Sequence, residues 1–184
     1  MAGAGDRQYT LCMDPSTLSP SARLAQFLQE TGVEHELVEH PAVFTAVAEA
    51  GAAGVEPASV AKTLVLHDHD GYRLAVIPAA RRLDLTRARA ALGATRHLRL
   101  ATEEEIQVAF PGYEVGAVPP FGPSLPEVVD IRLLYRERIL CAAGDHRHGV
   151  LVDPRELLRV AEPRVADICE HALRERRFAD LPRP

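Results

Sequence analysis

Residues 60–78 read VAKTLVLHDHDGYRLAVIP, two apolar runs separated by Asp70 and Gly71. Valine, isoleucine and tyrosine favour β-strands, and Asp-Gly is a preferred two-residue turn of a β-hairpin. The stretch therefore predicts antiparallel strands at 60–67 and 72–78. Because side chains alternate along a strand and both faces of the first run are mostly apolar, we expect the hairpin to lie in the centre of a sheet.

Lys62 lies near the start of this hairpin and is the only lysine of the chain, since the other 20 of its 21 basic residues are arginine. An ammonium is a compact charge whose pKa falls on burial, whereas a guanidinium is a planar fork that stays charged. A charged residue is rarely buried in a strand. The position therefore indicates a chemical role at the rim of a pocket, the alternative being that one lysine remains there by chance.

The sequence on either side of the hairpin predicts short helices interleaved irregularly with strands. Helices are predicted from Ser19-Pro20 to Gly32, at 45–50, from Asp84 to Gly93, from Thr102 to Pro111, from Asp153 onward and at 165–177, and strands at 33–39, 97–100, 127–130, 138–142 and 149–152. Capping residues, proline and glycine set these limits. The pattern predicts an α+β fold with a mixed sheet, in one domain over 19–177 with a flexible leader at 1–18 and a tail at 178–184.

Composition limits the class of protein. At 184 residues and 47% hydrophobic content the chain can bury one sizeable core, and it has no run of about 18 uncharged apolar residues and no secretory signal pattern. We expect a soluble, cytoplasmic protein with no membrane or DNA partner. The net charge of −5 argues against a protein whose main function is to bind nucleic acid along its length, but it permits contact with an RNA end. Cys12, Cys141 and Cys169 are far apart and are expected to be reduced thiols.

Two histidine pairs and one cysteine were weighed as chemical groups. His67 with His69, and His146 with His148, have a spacing that can bind zinc on a strand, but both pairs lie at predicted turns without a third ligand. We therefore expect no metal and no other cofactor. Cys141 has the apolar neighbours of an inert core thiol, so we do not expect it to act as a nucleophile.

Several motifs together carry a family resemblance. They are VAKTLVL at 60–66, VIPA at 76–79, RLDL at 82–85, GAVPPFG at 116–122, Val129-Asp130 and Ala143-Gly144. In combination they resemble the YbaK/ProX family of trans-editing aminoacyl-tRNA deacylases, which is similar to the insertion domain of bacterial prolyl-tRNA synthetase. The resemblance runs from about residue 24 to about residue 160. It implies a largely antiparallel, partly barrel-like sheet with short flanking helices, and hydrolysis of the ester that joins a wrong amino acid, such as alanine or cysteine, to tRNA(Pro).

The resemblance also implies a set of site residues. Lys62 matches the essential lysine of the family, which can stabilise the negative charge that develops on a carbonyl oxygen. Asp130 could hold Lys62 or bind the substrate amino group, and Gly144 would leave room for the ligand. Family members often carry a basic residue after this glycine, whereas here residues 145–148 read DHRH. The implied substrate-binding residues are Thr63, Gly116, Ala117, Val118, Pro119, Pro120, Phe121, Asp130 and Gly144.

Three functions of different class remain open at this point. The first, which we favour, is a deacylase that acts on the acceptor end of an aminoacyl-tRNA, with prolyl-tRNA synthetase as a candidate partner. The second is a non-catalytic module of the same fold that binds an aminoacyl-tRNA or a synthetase. The third is a Schiff-base enzyme, because a desolvated lysine is also what imine chemistry needs.

Overall fold

The computed structural model describes residues 18–171, which contain five α-helices, two 3-10 helices and eight strands. The helices are α1 (Pro20–Glu30), α2 (Ala46–Ala53), α3 (Leu85–Leu92), α4 (Glu103–Ala109) and α5 (Pro154–Ala161), with 3-10 helices at Pro57–Ser59 and Ile131–Tyr135. The strands are β1 (His35–Glu39), β2 (Val60–Asp68), β3 (Gly71–Pro78), β4 (Arg99–Leu100), β5 (Glu127–Asp130), β6 (Ile139–Ala142), β7 (His148–Val152) and β8 (Arg164–Ala166). None of the helices in this range is long and apolar enough to span a membrane.

All eight strands belong to one sheet in the order β1-β7-β6-β2-β3-β5-β8, with β4 paired to β2. The pairs β1–β7, β7–β6, β2–β3 and β2–β4 are antiparallel, while β6–β2, β3–β5 and β5–β8 are parallel. The α+β class with a mixed, largely antiparallel sheet is confirmed. The strands described here form an open path and do not close into a barrel.

The predicted hairpin lies at the centre of this sheet. β2 and β3 pair from Ala61 opposite Pro78 to Asp68 opposite Gly71, and β6 and β5 flank them. The carboxylate of Asp68 stabilises the turn because it accepts hydrogen bonds from the backbone N–H of Asp70 and from both the N–H and the hydroxyl of Thr95. These bonds outweigh the cost of burial and lower the pKa of Asp68.

The edge of β2 that faces away from β3 is only partly covered. β6 pairs with β2 at Val60 and Ala61, and β4 pairs with it at Leu66 and His67. Between these two contacts, this edge of β2 pairs with no strand of residues 18–171. Such an uncovered strand edge can expose backbone and side-chain groups from both faces of the sheet to a ligand.

The two faces beside this gap are covered by different elements. On one face the alanines of α2, including Ala46 and Ala50, pack with Val60. On the other face Phe121 packs in the cluster that contains Ala61, and Val118 packs against Val65. α2 and the loop that begins at Gly116 therefore form the two walls of the gap.

One predicted helix is wrong over the part that can be seen. Residues 165–177 were expected to be helical, but β8 extends the sheet beside β5, and Cys169 forms an antiparallel bridge with Leu83. Pairing with an uncovered sheet edge has overridden local helix propensity. Residues 172–177, the tail, Cys12 and the leader up to residue 17 lie outside the described residues.

Candidate functional site

A narrow pocket lies in the gap beside β2, between α2 and the loop at Gly116. Its space for water-sized molecules is about 30 Å³. The lining residues come from four segments: His40, Val43, Phe44, Thr45, Ala46 and Glu49; Ala61, Lys62 and Thr63; Gly116 and Ala117; and Ala142, Asp145 and His146. The structure thus brings four of the ten predicted site residues together: Lys62, Thr63, Gly116 and Ala117.

Lys62 is held at this pocket by two backbone carbonyl groups. Its Nζ donates to the oxygen of Arg81 at 2.7 Å and to that of Ala79 at 3.3 Å, just beyond the end of β3. An ammonium has three N–H donors, so contacts within residues 18–171 use two of them. Burial lowers the pKa of Lys62, the nearby charge of Arg82 lowers it further, and Cys169 opposes them.

The loop from Gly116 to Phe121 contributes differently at its two ends. Gly116 has φ of +87°, a left-handed conformation that glycine adopts without strain, and together with Ala117 it lines the pocket. The residues that follow, Val118 to Phe121, are buried under the sheet, and Phe121 is fully enclosed. We conclude that only the start of the predicted loop is available to a ligand in this pocket, and that the rest anchors it.

Asp130 does not hold Lys62 directly, which corrects the first of the two roles considered for it. Its carboxylate is fully buried and accepts hydrogen bonds from the backbone N–H of Arg132 and Ile168, and from the Arg132 guanidinium at 3.0 Å. The Cys169 thiol is a further hydrogen-bond partner. These bonds outweigh burial and lower the pKa of Asp130. Asp130 is not among the residues that line the pocket, and the second role, binding the substrate amino group, stays a prediction.

Gly144 is required for packing, and it does not itself line the pocket. Its φ is +99°, and a Cβ atom there would lie 2.7 Å from Cβ of Pro20 and 2.8 Å from a ring carbon of Tyr113. A substitution would therefore push apart the start of α1 and the loop after α4. Gly144 supports the pocket only indirectly, because it immediately precedes Asp145.

Two residues that we did not predict, His40 and Glu49, supply the most buried polar groups of the pocket. The His40 side chain is 2% exposed and that of Glu49 is 13% exposed. Glu49 is the only charged residue of α2, an otherwise small and apolar helix. That isolation is the sequence signal that could have identified it. His40 has no comparable signal beyond its position next to Pro41.

An aromatic pair and a capped turn form the rim. The rings of Phe44 and His146 have centroids 4.8 Å apart, and Phe44 is 78% exposed. Asp145 accepts hydrogen bonds from the backbone N–H of Arg147 and His148 and from the His148 ring. The sequence 145–148 therefore forms a stable turn, and of its two histidines His146 is the one that lines the pocket.

The two thiols of the described residues are inert, and their surroundings explain why. Cys141 is fully buried, and burial raises its pKa. Burial and the contact with Asp130 raise the pKa of Cys169 to about 12. No cluster of three or more His, Cys, Asp or Glu side chains suited to a metal ion occurs within 18–171.

A wider groove lies elsewhere, with a volume of about 550 Å³. It is lined mainly by apolar and aromatic groups, among them Tyr72, Phe110, Tyr113 and Leu125. None of the predicted site residues lines it. Carboxylate, imidazole and ammonium side chains converge at the Lys62 pocket and not at this groove, which makes the pocket the candidate functional site.

Comparison with known proteins gives a consistent result. The family model of the aminoacyl-tRNA editing domain matches residues 40–160, more than half of the chain. A proline–tRNA ligase from Thermosipho melanesiensis is 33% identical over 104 residues, which are 56% of this chain and 18% of the ligase. A solved structure of a candidate trans-editing enzyme for prolyl-tRNA synthetase is 36% identical, with a TM-score of 0.74 over 84% of this chain and 100% of that one. A hypothetical protein is 29% identical, with a TM-score of 0.73 over 80% of this chain and 99% of its own.

Proposed function

Because the chain belongs to the aminoacyl-tRNA editing domain family, we propose that it is a deacylase that hydrolyses the ester of mischarged tRNA(Pro) carrying a small amino acid such as alanine or cysteine. The observation that carries this proposal is the anchored ammonium of Lys62 in a narrow pocket. The relatives support the choice of tRNA, since one is a proline–tRNA ligase of which this chain spans less than a fifth.

In the proposed reaction, water adds to the ester carbonyl carbon and the bond from that carbon to the ribose oxygen breaks. The products are the free amino acid and the tRNA, and a proton from the water ends on the ribose oxygen. The remaining N–H of Lys62 would donate to the carbonyl oxygen as it becomes negative, while the carbonyls of Ala79 and Arg81 fix the ammonium in place. Such preorganised donors are effective because they need no rearrangement during the reaction.

The pocket walls would select the substrate. Gly116 and Ala117 leave little room opposite Lys62, which favours a side chain as small as that of alanine or cysteine. The hydroxyl of Thr63 is buried without a partner among the described residues, so it can bind a polar atom of the substrate. Selection by volume is limited, since one methylene is worth about 1–3 kcal/mol.

The rim fits the end of a tRNA. The exposed ring of Phe44 offers a surface on which a terminal base can stack. Arg81 and Arg82, both exposed, follow β3 beside Lys62 and can contact backbone phosphates. A local basic rim is compatible with the net charge of −5 if recognition is confined to the acceptor end, or if prolyl-tRNA synthetase supplies further contacts.

The test is a panel of charged tRNAs. Alanyl-, cysteinyl-, seryl-, threonyl- and prolyl-tRNA(Pro) would be incubated with wild type, Lys62→Ala and the control Arg155→Ala, which removes an exposed cation on α5. We expect wild type and Arg155→Ala to release alanine or cysteine but spare prolyl-tRNA, and Lys62→Ala to release little. Equal release of proline, or no release from any mischarged species, would overturn the proposal.

One observation favours the Schiff-base alternative, namely that burial lowers the pKa of Lys62. An imine requires a neutral amine. Borohydride reduction in the presence of a carbonyl substrate, followed by mass spectrometry of the peptide that contains Lys62, tests this function. A stable adduct would support it, and an unmodified Lys62 would remove it.

A further inference from the structure

His40 and Glu49 form a pair whose hydrogen bonding is incomplete. The Nδ1 atom of His40 lies 2.9 Å from the carbonyl oxygen of Pro41. A carbonyl oxygen can only accept, so Nδ1 carries a proton, and in this tautomer of the uncharged ring Nε2 is an acceptor. That Nε2 is buried and has no hydrogen-bond partner among the described residues.

The nearest charged group to Nε2 is another acceptor. Oε1 of Glu49 lies 3.7 Å from Nε2, which is longer than a hydrogen bond. Nε2 is therefore left unsatisfied at a cost in free energy, while the facing carboxylate of Glu49, whose side chain is 13% exposed, accepts no hydrogen bond from residues 18–171. A donor placed between them would satisfy both atoms. A cationic donor would compensate the carboxylate as well.

No cationic side chain among the described residues compensates the negative charge of Glu49, so a cationic ligand could do so. Burial raises the pKa of Glu49, and no lysine or arginine of residues 18–171 forms an ion pair with this carboxylate. The carboxylate occupies space left by Gly149 on β7, where a Cβ atom would lie 3.1 Å from Oε1. Lys62, the cationic side chain that lines this pocket, has its ammonium directed to the carbonyls of Ala79 and Arg81.

We propose that Nε2 of His40 and the carboxylate of Glu49 bind the α-ammonium group of the aminoacyl ester. This inference rests on the proposed function, because it identifies which part of that substrate occupies the α2 side of the pocket. The α-ammonium donates to both acceptors, and the ester carbonyl, two bonds away, lies toward Lys62. The pair takes the role that the sequence had suggested for Asp130.

This arrangement predicts which class of ester the pocket accepts. An N-acylated aminoacyl group, such as that of a peptidyl-tRNA, has neither the positive charge nor the donors to satisfy the pair. A 2-hydroxyacyl ester has one neutral donor. The pair would therefore restrict the pocket to esters of free amino acids, independently of the selection by side-chain volume at Gly116 and Ala117.

Binding of non-hydrolysable probes tests the inference without turnover. The probes are 3′-deoxy-3′-(L-alanylamido)adenosine, its L-lactyl counterpart and its N-acetyl-L-alanyl counterpart, titrated calorimetrically into wild type, Glu49→Gln and His40→Ala. Glu36→Gln is the matched control, since Glu36 is exposed and paired with Arg138 on the far edge strand. Thermal unfolding of each variant establishes that it is folded. If Glu49→Gln does not fold, Glu49→Asp replaces it as the test variant, because it keeps the charge but moves the carboxylate.

We expect wild type and Glu36→Gln to bind the alanyl probe about 10- to 100-fold more tightly than the lactyl and N-acetyl probes, the range for hydrogen bonds to charged groups. Glu49→Gln should reduce this ratio to within about twofold by weakening the alanyl probe alone. The inference would be overturned if wild type bound the alanyl and lactyl probes equally well, or if folded Glu49→Gln preferred the alanyl probe as strongly as wild type does. If the ratio holds but no mischarged tRNA is hydrolysed, the α-ammonium site stands and the proposed deacylase activity fails.

Discussion

The Lys62 pocket and the cluster around Asp130 are both polar sites inside an apolar sheet, but they differ in how completely their atoms are paired. In the pocket, His40 Nε2 and the Thr63 hydroxyl are buried without hydrogen-bond partners in residues 18–171. In the second site, which we call the Asp130 cluster (Asp130, Arg132, Asp167, Ile168 and Cys169), both oxygens of Asp130 accept hydrogen bonds. Arg132 also donates to Asp167 at 2.7 Å.

The difference indicates which buried polar group is available for a ligand. A saturated cluster gains its hydrogen bonds on folding and keeps them, so it contributes to stability. An unsaturated group costs free energy in the folded protein, and a ligand that pairs with it recovers that cost. By this criterion Asp130 is structural although it matches a family motif, and His40 and Glu49 are candidates for ligand contact.

The largest effect should follow from breaking the Asp130 cluster. Asp130→Ala leaves the N–H of Ile168 without its acceptor. It also removes one of the two carboxylates that Arg132 contacts, the other being that of Asp167. Each hydrogen bond to a charged group contributes about 1.5–3 kcal/mol, so losing several at once should cost about 3–5 kcal/mol. Urea unfolding should therefore show a free energy of unfolding lower by about that amount, while the folded fraction keeps its rate of deacylation.

Asp153→Ala is a matched control for this change. Asp153 caps α5 with the same φ of −67° and ψ of 129° as Asp130 and also accepts from the N–H two residues on, but its side chain is 43% exposed. Loss of such a cap costs about 1 kcal/mol. If both variants lose equal stability, or if Asp130→Ala abolishes activity in fully folded protein, the assignment of Asp130 to stability and of the Lys62 pocket to ligand binding is wrong.

Glu127 on β5 shows that an unpaired buried polar group is not always a ligand contact, because it lacks a hydrogen-bond partner in residues 18–171 but does not line the Lys62 pocket. It is 5% exposed, Oε1 has no partner among the described residues, and burial raises the pKa of Glu127 to about 8. Between its ordinary value of 4.5 and about 8 the folded protein keeps the proton that the unfolded chain releases, so stability falls as pH rises through this window. Above about 8 the dependence ends.

Glu127→Gln should remove this dependence. Wild type should lose about 4 kcal/mol more than Glu127→Gln between pH 5 and pH 8.5, measured as the difference in their free energies of unfolding at the two values. Parallel profiles for the two proteins would mean that Glu127 is already ionised in the folded protein at pH 5, which would contradict the prediction.

Lys62→Arg separates charge from geometry in the pocket. The guanidinium keeps the charge, but its planar fork cannot donate to Ala79 and Arg81 and still direct a donor to the same point as the ammonium. We expect kcat/KM to fall by about 100-fold, as when a preorganised donor is lost from a catalytic site, with an unchanged melting temperature. Lys62→Ala should lose at least as much. Wild-type rates in Lys62→Arg would mean that the solitary lysine has no special role.

Much of the fold could be predicted because local signals and tertiary structure agree. The turn at Asp70-Gly71, the capping box of Thr102 and Glu105, and the glycine end of α3 all appear where the sequence placed them. The failure at 165–171 has a tertiary cause, because β8 forms only when β5 offers an edge. No periodicity within those residues contains that information.

The site was less predictable, because its residues converge from distant segments. Lys62 could be recognised by composition and Gly116 by its proline-rich context. One of the hydrogen bonds to Asp130 comes from Ile168, which is 38 residues away in the sequence. A family motif does not show whether a carboxylate is hydrogen-bonded within the protein or free to contact a ligand. His40 and Glu49 become a pair only when α2 packs on β2, so their relation required the structure.

The smallest expected effect is at the rim, where Phe44 is proposed to stack on the terminal base. Stacking of a base on an aromatic ring is worth about 1–3 kcal/mol, and an exposed ring that also contacts His146 should lie at the lower end. Phe44→Ala should raise KM about fivefold with little change in kcat, and Phe44→Trp should restore it. Val47→Ala, which shortens another exposed apolar side chain at the start of α2, should leave KM unchanged. Equal effects of Phe44→Ala and Val47→Ala would instead indicate that the rim makes only nonspecific apolar contact, and that affinity for the tRNA end comes from the buried pocket and the arginines beside it.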